Sequence, residues 1–362
     1  MYRVTAAAIL KLAYGYSVEL HKPDALVKII EHVMGFASTE MIPYRWLVDL
    51  IPALARLPEW FPGARVKRVA REAKAVLDVS IDVPFDFVKQ QMAAGTYQES
   101  YCSSLIGTFN SGDKQTGEDM EYAIKWSAAM MFAGASDTTV ASLAAFVLAM
   151  IKNPDIQRKA QEEIDRVVGP DRLPTTDDQE NLPYINAVIK EVLRYNPVTP
   201  LGVPHKASEE ILFRGYRIPS GSIILPAIWW FLNDPDTYPE PSKFIPERFL
   251  EPRNEPDPDV AFGYGRRVCP GRFVALDSLY LTISRILAAF NISKAMQGGR
   301  PVEVEHKHTP GLVDHPVEFP YSIVPRSEKY AEMIRRVEVD HPWEGSAEFL
   351  PQSSILDRFK EQ

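Results

Sequence analysis

From Trp126 to Ile151 the chain carries a single formal charge, Asp137, in an otherwise apolar run. That run exceeds the roughly 20 residues a helix needs to span a bilayer, so it must cross a membrane or be buried in protein. Gly134, Ser136, Asp137, Thr138 and Thr139 collect in its middle. An Asp at mid-bilayer costs about 2.5 to 3.5 kcal/mol on insertion scales, and the neighbouring polar groups add to that. The expectation is therefore a long core helix with a polar notch, around which the rest of the chain packs. With 362 residues, 46% of them hydrophobic and 24% charged, there is enough apolar material for one large core or two modest ones.

The formal net charge of -8 leaves no basic excess to neutralise phosphates, and no Lys/Arg run is interleaved with aromatics, so nucleic acid is not an expected partner. Two cysteines, Cys102 and Cys269, make neither a disulfide framework nor a C-x-x-C metal spacing, which suits a reducing compartment. Cys102 has no motif around it and reads as structural. Met1-Tyr2-Arg3 leads into an apolar stretch too short to span a membrane, read as a core helix with no secretory or transit signal.

Up to about Lys152 the pattern is largely helical, with loops expected around Pro58 to Gly63 and Gly107 to Glu118. Asn153 is placed to cap the next helix, Pro154 sits in its first turn and Gly169 follows its end. A further helix runs from about Tyr184 to Tyr195 and stops before Pro197. Ile211 to Phe213 and Ile223 to Leu225 read as short strands, Pro235 to Pro258 as an irregular meander, and a last apolar helix runs from Gly271 to about Phe290. The sum is mainly α with a small β portion.

Phe262-Gly263-Tyr264-Gly265-Arg266-Arg267-Val268-Cys269-Pro270-Gly271-Arg272 is the most informative segment. A cysteine just before a helix sits where free N–H groups favour thiolate over thiol. Glycines let backbone approach the sulfur, and Arg267 offers a fixed cationic fork suited to a carboxylate. Taken alone, Cys269 is a structural residue, a nucleophile or a metal ligand. Glu191-Val192-Leu193-Arg194 forms E-x-x-R on a helix, and Pro246-Glu247-Arg248-Phe249 forms P-E-R-F in the meander. By helical wheel, Ile185, Val188, Ile189, Val192 and Leu193 make one stripe, which puts Glu191 and Arg194 beside Lys190 as an ordinary solvated pair. Asp137 and Thr138 read locally as a notch that hydrogen-bonds its own helix carbonyls.

F-x-x-G-x-R-x-C-x-G, E-x-x-R, P-E-R-F and the Gly134-Ala135-Ser136-Asp137-Thr138-Thr139 helix, in the right order, resemble the cytochrome P-450 family of haem-thiolate monooxygenases. The resemblance covers about Met1 to Pro325. The segment Leu182 to Pro204 is similar to fungal microsomal members, of the O-methylsterigmatocystin oxidoreductase-like kind. It implies a cytochrome P-450 fold lacking its N-terminal part, with a catalytic domain over residues 1–326 and an extension of unassigned role over 327–362. It implies haem b as cofactor, Cys269 as the iron ligand, and Arg267, His205, Phe262 and Gly271 as cofactor-binding residues. His205 also has a plain reading as a surface loop histidine.

By the same resemblance Glu191, Arg194 and Arg248 form a buried ion-pair triad, and Asp137 and Thr138 relay protons to dioxygen. Ala135 stands where the family has Gly, which implies a narrower helix bulge. Phe132, Thr199, Leu201, Val203, Leu312 and Val313 are implied to line a pocket for a hydrophobic small molecule, in the manner of secondary-metabolism oxidations. No G-x-G-x-x-G fingerprint accompanies these motifs, so electrons are expected from a separate NADPH-cytochrome P-450 reductase, docking near Arg266 and Arg272. The family resemblance implies the endoplasmic reticulum membrane. Against it Met1 aligns well inside the usual chain, without the anchor, the first strands and an early Trp-x-x-x-Arg helix. The alternative expectation is a non-catalytic fragment with weak or no haem binding. A cysteine-nucleophile enzyme is the third reading, and no histidine is motif-paired with Cys269 to support it.

Overall fold

The computed structural model describes residues 2–19, 21–40, 42, 45–61, 65–109, 114–343, 345–352 and 357. The chain divides into two units, residues 1–140 with 338–362, and residues 141–337.

The first unit contains α1 (Tyr2–Tyr14), α2 (Ala25–Glu40), α3 (Leu47–Leu50), α4 (Arg65–Ala94), α5 (Tyr101–Phe109) and the first part of α6 (Lys114–Lys152). The alanines of α1 favour helix, and Ala6, Leu10, Ala13 and Tyr14 fall at helical spacing on its buried face. They share one core with Ile29, Ile30, Phe85, Phe87 and Phe132. The rings pack edge to face, Tyr14 on Phe132 at 6.3 Å and Tyr16 on Phe87 at 5.3 Å, the arrangement their quadrupoles prefer. Asp24, 1% exposed, caps α2: its carboxylate accepts the Leu26 N–H at 2.9 Å and also the Tyr16 hydroxyl at 2.8 Å. The chain returns to this unit near its end, where the Ser346 N–H donates to the Ser17 carbonyl at 2.8 Å.

The polar notch of α6 is satisfied within the helix. Ser136 Oγ donates to the Phe132 carbonyl at 2.6 Å and Thr138 Oγ1 to the Gly134 carbonyl at 2.7 Å, the back-bonding open to hydroxyls in mid-helix. α6 is long and apolar enough to cross a membrane by length and composition, but 78% of its most apolar window is buried inside the structure, as in a core helix.

The second unit contains the rest of α6 and α7 (Pro154–Val167), α8 (Pro183–Tyr195), α9 (Ile228–Asn233), α10 (Arg272–Ala289) and most of α11 (Glu328–Asp340). Four two-stranded antiparallel sheets accompany them. β1 (His205–Lys206) pairs with β4 (Ile223–Ile224), and β2 (Ile211–Phe213) with β3 (Tyr216–Ile218). β5 (Phe290–Lys294) pairs with β8 (Tyr321–Pro325), and β6 (Met296–Gln297) with β7 (Arg300–Pro301). The core joins Phe146 and Met150 of α6, Ile164 of α7, Ile185, Val188 and Val192 of α8, and Leu279, Ile283 and Leu287 of α10.

Two buried polar side chains lock these elements together. Gln157 pairs with the backbone of Ile292, accepting its N–H at 2.7 Å and donating to its carbonyl at 2.8 Å, and so ties α7 to β5. Glu163, 5% exposed, accepts the N–H groups of Tyr184 and Ile185 at 3.0 Å each, satisfying donors that the start of α8 would otherwise strand.

Three local expectations are corrected. Asn153 does not cap α7 with its side chain; its Nδ2 donates at 2.9 Å to the Ala149 carbonyl at the end of α6, which competes for the same group. The expected loop from Gly107 to Glu118 is mostly helix, with 107–109 in α5 and 114–118 in α6, while 110–113 lie outside the described residues. Of the expected loop from Pro58 to Gly63, 58–61 form turns and the remainder lies outside the described residues.

Candidate active site

Cys269 stands in a loop that folds on itself. A 3-10 turn, Asp259–Phe262, ends at Gly263 with φ +84° and ψ -161°, a region that only glycine enters without strain. Gly265, at φ +52°, opens a second turn over Gly265–Arg267. The Arg267 N–H donates to the Tyr264 carbonyl at 3.1 Å, the Val268 N–H to the Gly265 carbonyl at 3.2 Å, and the Cys269 N–H across the loop to the Phe262 carbonyl at 2.7 Å. Cys269 is half-buried, and Gly271 is the N-cap of α10, whose first residue, Arg272, donates its N–H to the Cys269 carbonyl at 3.4 Å. A Cβ on Gly271 would come to 3.9 Å from Sγ, ordinary contact, so glycine here keeps the surface of the sulfur clear.

The loop fits the haem that the resemblance implies. One thiol is held in place by backbone, and beside it in sequence Tyr264, Phe273 and Val274 leave apolar side chains 47%, 64% and 45% exposed. Arg267 is exposed and meets no carboxylate among the described residues, which leaves its fork free for an anionic group. A cysteine thiolate as sole protein donor to iron is the donor set of haem-thiolate chemistry.

The local reading of Glu191 and Arg194 as a solvated pair is corrected. Glu191, Arg194 and Arg248 are all 0% exposed and meet as a triad. Arg194 grips Glu191 bidentately, Nε to Oε2 at 2.7 Å and Nη2 to Oε1 at 2.8 Å; Arg248 Nε reaches Oε1 at 3.3 Å, and the Ile245 N–H donates to the same oxygen at 2.8 Å. The remaining guanidinium protons go to the meander and its surroundings. Arg194 donates to the carbonyls of Leu232 at 2.9 Å and Pro241 at 3.0 Å. Arg248 donates to those of Pro239 and Glu240, and pairs with Glu255 at 3.0 Å. A buried charge is tolerated when it is paired and its hydrogen bonds are filled, and here both conditions hold.

Asp137 is 2% exposed, and the hydroxyl of Tyr2 donates to its carboxylate. Burial first, then Asp137, pushes the Tyr2 hydroxyl well above its ordinary pKa, so it stays protonated and remains a donor. Thr138 is half-buried and carries the back-bond to Gly134. His205 is exposed in β1, paired in register with Ile224.

The six residues expected to line a pocket fall in different environments. Phe132 is 1% exposed and packs in the core of the first unit. In the second unit Val313 is buried and Thr199 half-buried, while Leu201, Val203 and Leu312 are 56%, 65% and 40% exposed. A cavity of about 630 Å³ in that unit is lined instead by Asn196, Pro200, Trp229, Asn233, His306, His308 and Asp314 among others, and none of the six is on its wall. Burial, then the neighbouring His308, holds His306 down to about 4. The sequence signal for this cluster was His306-Lys307-His308, a spacing that puts both side chains on one side of an extended segment.

Comparison with known proteins agrees with the geometry. The family model described as Cytochrome P-450 matches residues 1–322. The chain is 46% identical over 354 residues to cytochrome P-450 monooxygenase CLM2 of Gibberella zeae, covering 96% of this chain and 67% of that protein. It is 44% identical to the multifunctional cytochrome P-450 monooxygenase af510 of Aspergillus fumigatus (97% and 67% covered), and 38% identical to O-methylsterigmatocystin oxidoreductase of Aspergillus flavus (94% and 64%). A zebrafish cytochrome P-450 solved with abiraterone superposes with a TM-score of 0.67 at 25% identity, covering 90% of this chain and 70% of that one. The chain spans about two thirds of the length of the curated relatives it matches. With its polar-notched helix, buried Glu-Arg-Arg triad and cysteine loop in that order, the chain belongs to the cytochrome P-450 family, whose members are haem-dependent monooxygenases.

Proposed function

We propose that Cys269 is the thiolate ligand of a haem b iron and that the enzyme inserts one oxygen atom of O2 into a hydrophobic organic substrate. Electrons would come from an NADPH-cytochrome P-450 reductase at the endoplasmic reticulum membrane. The observation that carries the reading is the closed loop presenting Cys269, half-buried, ahead of α10. When bound, haem supplies dioxygen binding and activation, to which a thiolate ligand contributes electron density.

The chain's own residues hold and orient. The Phe262 carbonyl fixes the backbone at Cys269, and Gly271 leaves room at the sulfur. Arg267 and His205 offer cationic or hydrogen-bonding partners to propionates. Glu191, Arg194 and Arg248 fasten the meander to α8. Asp137 and Thr138 would relay protons to dioxygen through Oδ and Oγ1, Thr138 by exchanging its bond to the Gly134 carbonyl for one to water. By the family resemblance, Phe132, Thr199, Leu201, Val203, Leu312 and Val313 would contact a hydrophobic substrate. Arg266 and Arg272 supply positive charge for a flavoprotein docking near the cysteine loop.

Thr138→Ala tests the assignment of the notch. Under reductase-driven turnover it should raise hydrogen peroxide formed per NADPH consumed and lower product to match, with haem content unchanged. Coupling equal to that of the parent chain would remove Thr138 from the relay.

A further inference from the structure

In the second unit, away from the cysteine loop in sequence, the segment after β7 brings two imidazoles together. His306 Nε2 and His308 Nε2 are 3.0 Å apart. We propose that these two nitrogens form a binding site for a divalent transition metal ion, with water and the Asn196 amide completing its coordination. The function proposed above does not depend on this site.

Four observations converge on it. First, at metal–nitrogen bonds of about 2.1 Å, two nitrogens 3.0 Å apart subtend about 90° at the ion. That is the angle between neighbouring ligands in octahedral or square-planar coordination, which Ni2+ and Cu2+ adopt.

Second, both rings are already oriented. His306 lies flat on Tyr195, centroids 4.8 Å apart and planes 4° apart, and His308 meets His306 at 65°. His308 Nδ1 donates to the Asp314 carboxylate at 3.0 Å, so its Nε2 carries the lone pair, which accepts the His306 Nε2–H until an ion displaces that proton. A carboxylate behind a ligating imidazole is the arrangement that fixes the tautomer and raises ligand basicity in metal sites.

Third, the pair opens on the cavity of about 630 Å³, room for an ion with its waters. Fourth, Asn196, 1% exposed, lines the same cavity, and neither its Oδ1 nor its Nδ2 has a hydrogen-bond partner among the described residues. Burying an amide unsatisfied costs free energy that a bound ion or its water would recover. Among the described residues no group of three or more His, Cys, Asp or Glu side chains is arranged to hold a metal, so this is a two-imidazole site with open positions.

The experiment is equilibrium dialysis of the untagged, haem-loaded chain against Ni2+ near neutral pH, followed by metal analysis. One equivalent of Ni2+ per chain should bind beyond the haem iron. His306→Gln and His308→Gln should each abolish it, and Asp314→Asn should weaken it by about 10- to 100-fold. Wild-type stoichiometry and affinity in either histidine variant would overturn the proposal. A second measurement needs no variant: Ni2+ should protect His306 and His308 of the parent chain from diethylpyrocarbonate, mapped by peptide mass, and unprotected modification of both would overturn it equally.

Discussion

Deleting the Arg194 guanidinium would leave the Glu191 carboxylate, fully buried, with only the Arg248 contact at 3.3 Å and the Ile245 N–H. It would also remove donors from the carbonyls of Leu232 and Pro241. Stranding charge in this way costs about 3 to 5 kcal/mol, a large part of the stability of an ordinary domain. Arg194→Ala should therefore lower the denaturation midpoint sharply and yield little folded, haem-loaded protein. Arg194→Lys, which keeps the charge and loses the fork, should fall between. An Arg194→Ala chain with parental midpoint and haem content would contradict the role given to the triad. None of this was legible from periodicity, which put Glu191 and Arg194 on the polar side of α8. What buries them is α9 and the meander, whose carbonyls arrive from some 38 to 49 residues away in sequence. Only the E-x-x-R and P-E-R-F motifs pointed to the contact. The His306, His308 and Asp314 cluster had no such motif, and its assembly on Tyr195 and Asn196 is tertiary.

At the scale of elements, the ends of helices were read where proline or glycine fixes them, as at Pro154, Gly169 and Gly271. The role of a capping side chain was misread where it chose between two partners, as Asn153 does. The turn before α8, Thr176–Asn181, shows how such an end is held. Thr175 and Asp178 form a capping box, and Arg172 grips Asp178 through two bonds at 2.6 and 2.7 Å. The Arg172 bond, with the Thr175 N–H and hydroxyl, holds the Asp178 carboxyl well below the usual carboxylate range against the effect of burial. A carboxyl whose pKa is lowered by folding contributes stability above its unfolded value near 4, and loses that contribution as pH falls through the folded value. Asp178→Asn should cost roughly 1 kcal/mol near pH 7, the ordinary worth of a cap. The gap from the parent chain should narrow as unfolding is measured at progressively lower pH below about 4. A gap that is constant with pH would mean the ion pair contributes nothing to folding.

For the whole molecule, a mainly α fold with little strand followed from the long apolar run, the helical periodicities and the proline-dense meander. The division into two units did not. Its boundary at Val140 and Ala141 falls inside α6, at buried helical positions with no change of composition, so no linker signals it. The short sheets were only half legible, because strands of two or three residues carry too little alternation to reveal that β2 pairs with β3 and β4 with β1. The central claim about the molecule is that Cys269 ligates haem iron as a thiolate. The most direct measurement is the absorption spectrum of the haem-loaded chain, reduced and bound with carbon monoxide, beside that of Cys269→Ala. The expected result is a strongly red-shifted Soret band in the parent chain that is lost in the variant; the same band in both, or a parent chain whose bound haem shows no such shift, would contradict it.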